Sequence, residues 1–177
     1  MSDDRARNGG SESLVDFIAR FTASDQFTRV FKEGMGLVEE TANYLDGPGR
    51  QDARLLDRNG AIAYATESMR LTTRLMQLAS WLLLQRAVSV GELSLEDAGK
   101  EKHRINLADI GPGHALTGSE QLPAVLKALI ERSLKLHERI VKLDAMLAMK
   151  AKATVPADNP VSRQMDRLAE VFKTARR

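Results

Sequence analysis

"TESMRLTTRLMQLASWLLLQRAV", residues 66–88, is the most apolar stretch of the chain, with eight apolar residues between Leu75 and Leu84. A membrane span needs about 20 consecutive apolar residues, and Arg74 and Arg86 close this stretch well short of that. It therefore reads as a bundle helix. With Leu75 at zero and about 100° per residue, Tyr64, Ser68, Leu71, Leu78, Ala79 and Leu82 share one seam. Ala65, Met69, Thr72, Met76 and Leu83 widen it on one side to an arc of about 180°. A central helix with two neighbours needs an arc of that width, so these residues are expected in the core. Each large side chain buried there contributes about 1.5–3 kcal/mol.

Two residues do not fit this arc. Trp81 falls among Glu67, Arg70, Arg74, Gln77 and Gln85, and Leu84 falls beside Thr66 and Gln77. Three accounts are open. The pair is covered in cis by residues 1–22 or 91–118, or it forms a self-association surface, or Trp81 lies over Arg74 in solvent. Trp81, Leu84, Gln77 and Arg74 are the candidate self-association face.

The neighbouring segments read as further helices. Ser24 is a good N-cap for a helix whose stripe is Phe27, Val30, Phe31, Gly34, Val38, Thr41, Ala42 and Leu45. It is expected to end at "DGPG" (46–49), with Gly47 left-handed and Pro48 blocking continuation. Residues 50–60 are a connection, and the central helix runs from about Gly60 to Val88, capped by Asp57 or Asn59. Ser94 and Asp97 have capping-box spacing within a polar break, and the glycines and Pro112 of residues 106–119 indicate a loop. After Ser119, Leu122, Leu126, Leu129, Ser133, Leu136, Ile140, Leu143 and Leu147 alternate at four and three, a coiled-coil-like seam. Leu14, Phe17, Ile18 and Phe21 outline a short docking helix, and Met165, Leu168 and Phe172 lie on one side of another.

The expected class is all-α: three long helices in an antiparallel bundle over 23–150. Residues 1–22 form a disordered lead with a short helix, and 151–177 a flexible tail with an amphipathic segment. Aromatic residues make up 5% of the 177-residue chain, low for a β-rich fold, and no segment sustains strand alternation. The formal charge of +2 provides no global field toward nucleic acid or anionic lipid. The absence of cysteine excludes disulfides and thiol chemistry, which fits a reducing cytoplasm. The N-terminus lacks the apolar run of a signal peptide.

Chemistry is sparse. His103, His114 and His137 are scattered without ligand-spaced partners, so no metal or cofactor is expected. "GPGHALTGS" lacks the Lys-Ser/Thr of a P-loop, and "GMG" (34–36) lies inside an amphipathic helix, where Gly34 is expected to let another helix approach closely. Residues 163–177 carry five bases against two acids. That leaves, as an alternative, a nucleic-acid-associated regulator using its basic tail, although no aromatic interleaving supports it. An enzyme would need a site that these residues do not assemble.

"FKEGMGLVEETANYLDGPGRQDARLL" (31–56) and "AYATESMRLTTRLMQLASWLLLQRAV" (63–88) closely resemble the alphaproteobacterial RcdA proteins, regulators of CtrA degradation. The resemblance covers about residues 25–105, with the third helix in outline. It implies a dimeric helical bundle without enzymatic activity, an adaptor for the ClpXP protease. The implied partners are a ClpX-type unfoldase complex, a response-regulator-like adaptor (CpdR-like), a further adaptor (PopA-like) and cargo proteins including the cell-cycle regulator CtrA. No family motif assigns a binding residue. From the residues themselves, Met165, Leu168 and Phe172 are the candidate partner-binding tail.

Overall fold

The computed structural model describes residues 15–108 and 110–154, and every regular element among them is helical. A short helix α1 (15–22) is followed by α2 (Asp25–Asp46), α3 (Pro48–Arg54), α4 (Arg58–Ser89), α5 (Leu95–Lys102), a 3₁₀ turn at Ser119–Gln121, and α6 (Ala124–Thr154). Residues 1–14 and 155–177, the lead and most of the tail, lie outside the described residues.

Local chemistry sets the helix starts. Ser24, Asp57 and Ser94 have extended backbone, and their side chains accept from the N–H groups of Phe27, Gly60 and Asp97, pairing donors that the first turn of a helix leaves free. The end of α2 differs from the expectation. Gly47 has φ −114° and ψ −110°, not a left-handed conformation, and Pro48 opens α3 instead of stopping helical structure. A proline at the first helical position forfeits only an N–H that has no partner there.

The three long helices α2, α4 and α6 pack against one another in pairs. Contacts fix their directions. Glu33 pairs with Arg139 and Glu40 with Arg132, so α2 and α6 are antiparallel. Gly34 lies under Leu82, and residues 38–46 line a groove with residues 72–83, so α2 and α4 are antiparallel as well. But Arg74 bonds Ser133 and Trp81 bonds Asp144, rising together, so α4 and α6 are parallel. Three helices always leave at least one parallel pair; in an up-down-up antiparallel bundle that pair is the first and last helix, whereas here it is the sequence neighbours α4 and α6. The reason is the connection between α4 and α6, which is long enough to run back along the bundle before α6 begins.

That return segment tracks α4 step by step. The N–H of Asn106 donates to Gln77, Arg74 donates to the carbonyl of Ile110, Arg70 to that of His114, and Gly118 lies against the backbone of Asn59. Gly118 has φ +90°, and a Cβ there would fall 2.5 Å from the Asn59 carbonyl carbon, so both conformation and space require glycine. Another tight approach is at Gly34, where a Cβ would stand 2.7 Å from Leu82 Cδ1, as expected of a glycine on a helix–helix seam.

The four–three seam of α6 is buried from Leu122 to Leu147, including Ser133. On α2 the core residues are Phe27, Val30, Gly34, Leu37, Thr41 and Tyr44, whereas Phe31, Val38 and Leu45, expected on the stripe, sit at its flank. Helix α1 docks through Ile18, and Phe21 meets Phe27 edge-on with centroids 5.3 Å apart.

Candidate interaction surface

Helix α4 has apolar residues on nearly all sides, and the structure divides them sharply. The side carrying Trp81 is covered. Trp81 is fully buried, and its indole N–H donates to Asp144 Oδ1 at 2.8 Å, an oxygen that also receives Lys102 Nζ at 2.6 Å. Leu84 is buried and Gln77 is half-buried. Ile105, Leu107, Ile110 and Leu116 of the return segment pack onto the same core. The candidate self-association face of Trp81, Leu84, Gln77 and Arg74 is therefore interior, and the account that survives is cover in cis by the connection and by α6.

Arg74 is the anchor of this face. Only 2% of it is exposed. Its Nε donates to the Ile110 carbonyl at 2.6 Å, one terminal nitrogen to Ser133 Oγ at 2.8 Å and the other to the Gly111 carbonyl at 3.2 Å. Burial pulls its pKa below the usual arginine value, partly opposed by the field of Glu67. The planar fork suits this role, since one side chain satisfies two loop carbonyls and a helix hydroxyl at once.

The opposite side of α4 faces outward. Ile62, Met69, Met76, Leu83 and Val90 are 55%, 71%, 64%, 51% and 59% exposed. Three of them, Met69, Met76 and Leu83, were expected in the core. The buried arc of α4 is thus turned about 90° toward Trp81, and the widened side of the expected arc is surface. Between the exposed residues lie small side chains: Ala65, Thr72, Thr73, Ser80 and Ala87. A groove of about 440 Å³ runs beside this row, lined by Val38, Ala42 and Leu45 of α2 and Leu75, Met76 and Leu83 of α4.

The polar groups are occupied structurally. His137 Nε2 lies 2.7 Å from the Leu107 carbonyl, securing the return segment to α6. His103 and His114 contribute to no cluster, and no group of three potential ligands stands together among the described residues. A cleft of about 660 Å³ beside the return segment is lined by Thr66, Arg70, Thr73, Arg74 and His114, but both arginines are engaged by loop carbonyls there. No helix is long and apolar enough to cross a membrane among the described residues. Met165, Leu168 and Phe172 lie outside the described residues.

The profile of a family described as a protein of unknown function, DUF1465, matches residues 18–172, nearly the whole chain. Among solved structures, the chain is similar to the crystal structure of RcdA from Caulobacter crescentus CB15, with 50% sequence identity and a TM-score of 0.57. The alignment covers 73% of this chain and 96% of that one. This chain belongs to the RcdA family. No curated protein matches it in sequence. Within this RcdA-family chain, both faces of α4 are built largely from the stretch that carried the resemblance, and among the described residues the outward face is the exposed one.

Proposed function

We propose that this chain is a non-enzymatic adaptor that helps deliver cell-cycle regulatory proteins to the ClpXP protease, acting in the cytoplasm as a dimer. The observation that carries the reading is the outward face of α4, a helix-long row of apolar side chains on a bundle whose buried polar groups serve packing. Surfaces of that kind mark protein contacts. The 50% identity to RcdA directs the reading toward the partners implied by that family: a ClpX-type unfoldase complex, a CpdR-like primer, a PopA-like adaptor and cargo. The mechanism is effective concentration, by which weak contacts become productive once cargo and protease sit on one scaffold.

In this reading residues 23–150 form the scaffold, and Met165, Leu168 and Phe172 make the transient partner contact. The nucleic-acid reading is less well supported. Several bases of the described surface are paired with carboxylates, among them Arg132 with Glu40, Arg139 with Glu33 and Lys135 with Glu131, which leaves the tail to act alone.

Reconstituted degradation of a candidate cargo by ClpXP, with and without this chain, is the test. A loss of degradation when the chain is omitted, reproduced by a Met165→Glu, Leu168→Glu, Phe172→Glu variant, supports the reading. Degradation at the same rate without the chain sinks it.

A further inference from the structure

We infer that residues 163–172 of this chain's own C-terminal segment dock as a helix in the apolar groove between α1, α2 and the end of α4. The segment read above as the partner contact is then held in cis until a partner competes for it. That competition rests on the adaptor reading; the docking does not.

The groove selects its ligand by composition. It measures about 560 Å³, and its apolar lining is Ala19, Ala23, Phe27, Phe31 and Val90. Phe27 is buried in the core, and the half-buried Phe31 lies 6.0 Å from it between ring centroids. Val90 is 59% exposed. The charged lining is wholly cationic, Lys32 and Arg86. Neither forms an ion pair among the described residues, and Arg86 lies instead over the Phe31 ring, 5.1 Å from its centroid. An apolar trough between two such cations suits an apolar segment that also carries carboxylates.

Place decides the occupant. Because α6 runs parallel to α4, Thr154 leaves the bundle at the end where Val90 caps α4. Lys150 lies over Phe17 at 5.6 Å. Phe17 is about 140–160° round α1 from Ala19 and Thr22, which line the groove. One short helix therefore separates the last turns of α6 from the groove. Residues 155–164, fully extended, span at most about 33–36 Å, well beyond the about 10–12 Å diameter of that helix.

The segment that follows has the matching composition. Met165, Leu168 and Phe172 share one helical face, three large apolar side chains for the trough. Asp166 and Glu170, one turn apart, stand to one side of that face with Lys173, and Arg163 and Arg167 lie behind it. Docked, the segment brings its two carboxylates toward Lys32 and Arg86. Residues 1–14 adjoin α1 as well, but Met1 and Leu14 are their only large apolar residues. With about nine-tenths of chains docked, the segment's apparent affinity for a partner falls about tenfold.

The chain has no cysteine, so a pair of introduced thiols is unique. In the full chain treated with a short bismaleimide, Thr28→Cys with Ala169→Cys is expected to cross-link within one chain about tenfold faster than Met149→Cys with Ala169→Cys. Thr28 lines the groove, whereas Met149 is 72% exposed and much nearer to residue 169 along the chain. A segment with no resting place therefore favours the second pair. Lys32→Glu with Arg86→Glu is expected to remove the preference for Thr28, and adding Asp166→Lys with Glu170→Lys to restore it. That rescue separates lost docking from misfolding.

Equal rates for the two thiol pairs overturn the docking. A Thr28–Ala169 link that joins two chains overturns the cis arrangement and gives the groove to a second copy's tail. A preference for Thr28 that survives the charge reversal overturns the part assigned to Lys32 and Arg86. Where the preference holds but cargo is degraded at the same rate without the chain, the docking stands and the adaptor reading falls.

Discussion

The two faces of α4 are made of similar material and have opposite fates. One carries Trp81 and Leu84 among arginines and glutamines, and it is buried. The other carries Met69, Met76 and Leu83 among alanines and hydroxyls, and it is exposed. What separates them is whether another part of the chain can satisfy their polar neighbours. Arg74 and Gln77 bond the backbone of the return segment, so a face that looks half-polar becomes interior once those groups are paired. On the methionine face the hydroxyls of Thr72 and Ser80 donate to carbonyls of α4 itself, so the face is left exposed among the described residues.

Substitutions that sharpen this comparison fall in a clear order. Trp81→Ala is expected to cost the most, about 4 kcal/mol, as a fully buried aromatic is replaced by a cavity. Denaturant unfolding measures it, and a loss under about 1 kcal/mol would mean the face is not packed. Arg74→Met keeps the volume and removes the fork, leaving the Ile110 and Gly111 carbonyls and Ser133 without their partner. A loss of about 3 kcal/mol is expected, with faster amide exchange in residues 105–118. Gln77→Ala removes one half-buried acceptor, that of the Asn106 N–H, and about 1 kcal/mol is expected. On the other face, Met69→Gln with Leu83→Gln is expected to change the stability of the isolated chain by less than about 0.5 kcal/mol each, while weakening association measured by sedimentation. Equal losses on both faces would erase the distinction.

The long periodic elements were legible in sequence. The α6 seam from Leu122 to Leu147 is buried as spaced, because one helix face against one core leaves a strong four–three pattern. The caps at Ser24 and Ser94 were legible too, each being a local matter of one side chain and one turn, while Asp57 was one of two offered with Asn59. The rotation of α4 was not legible. Apolar residues on both sides nearly cancel its amphipathic signal, and a wheel ranks faces by side-chain polarity alone. It cannot register that Arg74 will find carbonyls 36 and 37 residues away. The same error turned the α2 stripe toward Phe31, Val38 and Leu45 and away from Leu37. A signal for the outward face was present all the same, in the sevenfold spacing of Ile62, Met69, Met76, Leu83 and Val90. The direction of α6 was hidden too, since a loop sequence does not state how far it travels.

The parallel run of α4 and α6 has a consequence for the chain as it is made. Helices α2 and α4 are neighbours in sequence and can pair as soon as both have left the ribosome, as local contacts form early. The partners of Trp81 and Arg74 arrive later, because Ile110, Ser133 and Asp144 are all synthesised after α4 is complete. At roughly 5–20 residues per second, the newborn hairpin carries apolar surface on both sides of α4 for several seconds before the return segment closes one of them. For that interval this chain is itself the kind of sticky, unfinished polypeptide that cellular quality control is built to seize.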